Sequence, residues 1–100
     1  MPTVEEAMIR LERNLNFAKH EGVPLIRIIH GYGSSGVGGD IRVACHHYLQ
    51  RALYQRKIKA FFPGESLSVT TPEGQNLLQR YPSLKKDKGN CGITLVELSF

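Results

Sequence analysis

The chain is short of cysteine, of long apolar runs and, over one stretch, of any acid. Its two cysteines, Cys45 and Cys91, lie far apart in 100 residues and in no Cys-x-x-Cys spacing. That excludes a zinc-binding cysteine framework and a disulfide scaffold, and it predicts free buried thiols. No apolar stretch approaches the length of a membrane span, and the N-terminus lacks the apolar core of a signal peptide. A cytoplasmic protein with no membrane partner is therefore expected. No Gly-Lys-Ser or Gly-Lys-Thr occurs, which excludes a Walker A loop.

The missing acid is more telling. Arg42, Arg51, Arg56, Lys57 and Lys59 follow one another without an intervening carboxylate. The net charge of +4 is concentrated there: residues 1–40 carry four Lys or Arg against five Asp or Glu, and residues 41–100 carry nine against four. Such a run favours a polyanionic partner, although a solvated helix face would have the same composition. Length and a hydrophobic content of 41% predict a single domain over residues 1–100 with one core.

Thr3, Val4, Glu5 and Glu6 read as a capping box, and Val4, Met8, Leu11, Leu15 and Ala18 follow at helical spacing until Gly22 and Pro24 stop the helix. Leu25 to Ile29 reads as a covered strand with Arg27 as its one charge, delivering His30 at its carboxyl end. A glycine-rich run, Gly31 to Asp40, comes next. Asp40 reads as the N-cap of a second helix with the stripe Ile41, Ala44, Cys45, Tyr48, Leu49, Ala52 and Leu53, leaving His46 and His47 at the surface. Lys57 to Phe62 alternates like a strand that Leu67 to Val69 could extend, Thr71 and Pro72 open a short helix, Ser83 to Gly92 reads as a polar loop, and Gly92 to Leu98 as a last strand. The alternation implies an α/β sheet with helices packed on it.

Five of the ten glycines lie in the run that begins at His30. Glycine at a strand-to-helix junction lets backbone N–H groups converge, and a helix N-terminus favours an anion there. Gly31, Gly33 and Gly36 satisfy Gly-x-Gly-x-x-Gly, but no acidic residue ends the next strand near Phe62 to bind a ribose hydroxyl, so the dinucleotide reading fails. The plainest reading keeps His30 as a strand-capping residue and the glycines as a turn.

Thr3-Val-Glu-Glu-Ala, Ile26-Arg-Ile-Ile-His-Gly-Tyr-Gly and the closing Gly92-Ile-Thr-Leu-Val-Glu-Leu, in this order, resemble the Smr (small MutS-related) domain family. The resemblance implies a two-layer α/β sandwich, a small mixed sheet with two main helices, similar to the C-terminal domain of translation initiation factor 3. It also implies nucleic-acid binding, with endonuclease activity, RNA cleavage or DNA nicking, in some members. The family's His-Gly-x-Gly falls on His30, Gly31, Tyr32 and Gly33. Its other signature, Leu-Asp-x-His on a strand before the first helix, has no counterpart ahead of Thr3. Either the true start lies upstream of Met1 or this member lacks that half of the site, and in the second case binding without cleavage is the safer expectation. Gly33 to Asp40 is also longer than the compact family loop, and Gly64 to Asn90 reads as an insertion.

A chemical reading stands beside the resemblance. A neutral His30 could act as general base on a 2′-hydroxyl while the backbone of Gly31 to Gly36, with Ser34 and Ser35, holds the phosphate and Arg27 or Arg42 meets the developing charge. RNA cleavage of this kind needs no cofactor. DNA nicking would call for a divalent metal, and Asp40 is the one carboxylate of the loop. RNA is thus the preferred partner, with Arg42, Arg51, Lys57 and Lys59 on phosphates and Tyr32 as a candidate for base stacking. The rival reading is a protein-interaction or assembly module whose open sheet edge takes up a partner strand or a second copy.

Overall fold

The computed structural model describes residues 3–31, 37–67 and 70–98. Helix α1 spans Val4–His20, and the Thr3 hydroxyl accepts the Glu6 N–H at 3.1 Å, as the capping box predicts. Its C-terminus closes through Gly22 at φ 72°, where the Val23 N–H reaches back to the Ala18 carbonyl at 2.9 Å. This left-handed closure satisfies carbonyls that the helix leaves open. Strand β1 follows at Leu25–Ile29.

Helix α2 runs Val37–Tyr54, so it begins three residues before the expected N-cap. Asp40 instead lies in its first turn, where a carboxylate complements the positive end of the helix. Leu49 and Cys45 are fully buried, Ala52 nearly so, and the thiol of Cys45 is pushed up to about 11 by burial, which leaves it unreactive. Both cysteines are free. At the far end Arg56 takes φ 59° and Lys57 N–H bonds the Ala52 carbonyl at 2.8 Å, a closure of the same kind as at Gly22 but built on a residue with a Cβ.

Strand β2 is Ala60–Pro63, followed by a 3₁₀ turn at Gly64–Ser66. Helix α3, Pro72–Arg80, starts as predicted, with the Thr71 hydroxyl accepting the Gly74 N–H at 3.0 Å. A second 3₁₀ segment, Pro82–Asp87, occupies much of the expected polar loop, and Leu84 and Asp87 within it are buried. Strand β3 is Ile93–Glu97, buried along its whole length. Of the expected extension at Leu67 to Val69, Leu67 is a core residue, and Ser68 and Val69 lie outside the described residues.

The sheet order is β1-β3-β2. Both ladders are antiparallel, with Leu25 opposite Glu97 and Ile29 opposite Ile93 on one side, and Ala60 opposite Glu97 and Pro63 opposite Thr94 on the other. The α/β architecture is as expected, but the mixed pairing is not: β3 enters between the two earlier strands, which run alike and never touch as neighbours. Alternation along the strands then divides the core. Ile26, Ile28, Phe61 and Val96 meet α1 and α2, whereas Leu25, Phe62, Ile93 and Leu95 meet α3 and the 3₁₀ segments. The region that reads as an insertion therefore covers the second face of the sheet and adds a layer to the expected two.

Candidate functional site

His30 leaves β1 on the face that carries α2. Its N–H and that of Gly31 both donate to the Gly92 carbonyl, at 3.1 and 3.0 Å, which ties the end of β1 to the start of β3. Gly31 then turns at φ 83°. A Cβ added there would meet nothing within 4 Å, so the requirement for glycine is torsional rather than steric. The turn brings the Gly31 carbonyl within 2.9 Å of Nδ1 of His30.

Thr94 lies at the centre of the site. Its Oγ1 is 2.9 Å from Nε2 of His30 and 2.9 Å from Nε2 of His46, and its side chain is wholly buried. The two imidazoles meet edge to face, with ring centres 5.9 Å apart, and Phe61 of β2 lies 6.0 Å from the ring of His46. His46 is half-buried. Its pKa is held below the usual histidine value, first by burial, then by the positive charge of Arg42 and by His30, with Glu65 opposing. Burial and positive charge both favour the uncharged ring.

The predicted site residues divide into groups. Arg42, at the top of α2, joins this cluster and pairs with Glu65 of the first 3₁₀ turn. Arg27 is carried to the other face of the sheet, where Nε and Nη2 make two 2.8 Å bonds to the carboxylate of Asp87, itself 2% exposed. It does not meet His30, because the two residues lie three positions apart on an alternating strand. Arg51, Lys57 and Lys59 collect at the opposite end of the sheet, roughly 13 Å of helix away from Arg42. Lys59 lies 3.9 Å from Glu97, whereas Arg51, Arg56 and Lys57 are exposed with no carboxylate partner among the described residues. Tyr32, Gly33, Ser34, Ser35 and Gly36 lie outside the described residues.

His30 is not placed to be the free base that its position in the sequence suggests, since both ring nitrogens have partners. His46, expected at the surface, and Thr94, expected only as a strand residue, are the side chains of this cluster that local reading missed. The available signal was geometric. His46 is one helical turn beyond Arg42 and three residues before the buried Leu49, at the border of the apolar stripe, and Thr94 shares the face of Val96.

A model of the Smr domain family matches residues 1–67. The chain belongs to the Smr domain family. The matched part runs from α1 through β2 and contains His30, Gly31, Arg42 and His46, while Thr94 lies beyond it. Among solved structures the chain is similar to the Smr domain of Thermus thermophilus MutS2, with 24% identity, 98% of this chain and 89% of that one covered, and a TM-score of 0.62. At that identity the likeness is one of fold. No curated protein sequence matches the chain. Smr domains generally bind nucleic acid, and some members are nucleases. Among the described residues no helix is long and apolar enough to cross a membrane.

Proposed function

We propose that this Smr domain binds RNA along α2 and cleaves it at the histidine end. The observation that carries the reading is a run of cations in and just after α2 with no acid between them in the sequence: Arg42, paired with Glu65 beside the His30–Thr94–His46 cluster, then Arg51, Arg56 and Lys57, exposed and without a carboxylate partner among the described residues. A polyanionic strand laid along the helix would meet positive charge at both ends and the imidazoles at one of them. Tyr54, 90% exposed between Arg51 and Arg56, offers a ring face on which a base can stack. RNA fits the chemistry better than DNA because a 2′-hydroxyl supplies its own nucleophile, so that a neutral imidazole suffices as base.

Fluorescence anisotropy with a labelled single-stranded RNA tests the binding. Arg51→Ala combined with Lys57→Ala is expected to weaken affinity while leaving thermal stability unchanged. Equal affinity in the double variant would contradict the proposed path.

A second reading is favoured by the outer edge of β1, which bears no strand among the described residues and ends in Ile29, 70% exposed. Strand addition there would make an assembly module. Light scattering coupled to size exclusion separates the two: a dimer with no affinity for RNA supports assembly, and a monomer that binds RNA excludes it.

A further inference from the structure

We infer that His46, through Nδ1, is the proton acceptor of this site, and that His30 and Thr94 act as positioning residues that fix its tautomer. The inference rests on the proposed RNA cleavage and assigns the base within it.

The assignment follows from counting hydrogens. The Gly31 carbonyl can only accept, so Nδ1 of His30 carries a hydrogen and donates it at 2.9 Å. In the neutral ring Nε2 is then a lone pair, and the partner 2.9 Å from it, Oγ1 of Thr94, must donate. Thr94 has one hydroxyl hydrogen. With that hydrogen directed at His30, Oγ1 can only accept from His46, whose Nε2 lies 2.9 Å away and must therefore be N–H. The opposite tautomer of His46 would set a nitrogen lone pair against an oxygen lone pair at that distance. What is left is Nδ1 of His46, a lone pair without a hydrogen-bond partner among the described residues. A backbone carbonyl that cannot donate thus orients each hydrogen of this chain up to Nδ1 of His46.

The charged and titratable groups around His46 are Arg42 and His47 on its own helix, His30 beyond β1, and Glu65 after β2. Burial, then Arg42, His30 and His47, favour the neutral ring against the pull of Glu65, and the neutral ring is the form a base needs. In the reaction Nδ1 takes the proton of a 2′-hydroxyl, and the oxygen's electron pair forms the bond to the adjacent phosphorus. The phosphorus–O5′ bond breaks, and the leaving oxygen keeps its electron pair and takes a proton from water. The hydroxide so formed recovers the proton from His46. The products are a 2′,3′-cyclic phosphate and a 5′-hydroxyl. Throughout, the Nε2–H of His46 stays on Thr94, so the ring does not reorient.

Two measurements on the full chain test the assignment. Nitrogen-15 spectra of the imidazoles are expected to show His30 protonated on Nδ1 and His46 on Nε2. His46 protonated on Nδ1 would overturn the assignment without any substitution. In an EDTA-containing cleavage assay, His46→Gln keeps an N–H donor for Thr94 but has no basic nitrogen, and it is expected to cut the rate about a hundredfold while RNA affinity changes less than about twofold. Thr94→Val is expected to release the tautomer of His46 in the spectra and lower the rate at equal affinity. A wild-type chain that cleaves RNA beside an equally active His46→Gln would sink the assignment alone. One that binds RNA without cleaving it would sink the cleavage reading and this assignment together.

Discussion

Arg27 and His30 lie three residues apart at the end of one strand and enter opposite faces of the sheet. Arg27 meets Asp87 through two 2.8 Å bonds from its guanidinium to a carboxylate that is almost wholly buried. His30 meets Thr94 and, through it, His46, a chain that ends on a nitrogen with no hydrogen-bond partner among the described residues. The first arrangement closes one face; the second leaves one group available on the other. A small core can therefore hold two polar insertions of different consequence. The bidentate pair engages both carboxylate oxygens, whereas the imidazole chain leaves one ring nitrogen without a hydrogen-bond partner among the described residues.

The sharpest way to break this contrast is to remove Asp87. Asp87→Ala leaves a guanidinium facing the α3 side without its carboxylate, and it is expected to give the largest fall in melting temperature of any substitution considered, with RNA affinity unchanged below the transition. A loss of RNA affinity in the folded variant would place Arg27 in the binding path after all. Gly64→Ala strikes the same face. Its Cβ would lie 1.9 Å from the Asn90 carbonyl oxygen and 2.7 Å from Cγ1 of Ile93, so backbone must shift. A cost of roughly 1–3 kcal/mol is expected in urea unfolding.

Acid separates the faces on one axis. His46 is harder to protonate in the folded chain than in the unfolded one, so its contribution is complete above the ordinary histidine value of 6.5 and declines as pH falls below it. Asp87 is held below its ordinary 3.8, first by its hydrogen bond from Arg27, so its contribution persists to lower pH and is lost only as the carboxylate takes up a proton. Urea midpoints followed against pH should show both declines. His46→Gln is expected to remove the first and Asp87→Asn the second, and an exchange of these effects would refute the assignment of the groups to their faces.

The smallest effect expected is a gain. Arg56 occupies a left-handed conformation, and Arg56→Gly should raise stability by ~0.5 kcal/mol while removing one exposed cation. Stability and RNA affinity should then move in opposite directions.

Much of this fold is local and could be read locally. The Thr3 and Thr71 caps, the Gly22 stop, the strand that delivers His30 and the final buried strand each follow from a few neighbouring residues. The entry of β3 between β1 and β2 could not be read, because nothing in a strand's own pattern names its neighbours. The polar partners were hidden for the same reason: Asp87 is 60 residues from Arg27, and Thr94 is 48 from His46 and 64 from His30. Helical periodicity put His46 on the solvent side because it weighs apolar contacts and does not register a hydroxyl arriving from another strand. The early start of α2 at Val37 escaped too, since glycines there argue locally for a loop.

If the α2 side of this Smr domain is a surface for nucleic acid, RNA affinity must depend steeply on salt. With phosphate contacts from Arg42, Arg51, Arg56 and Lys57, affinity for a single strand should fall roughly fiftyfold between about 50 mM and about 200 mM salt. An affinity that stays level over that range would contradict it.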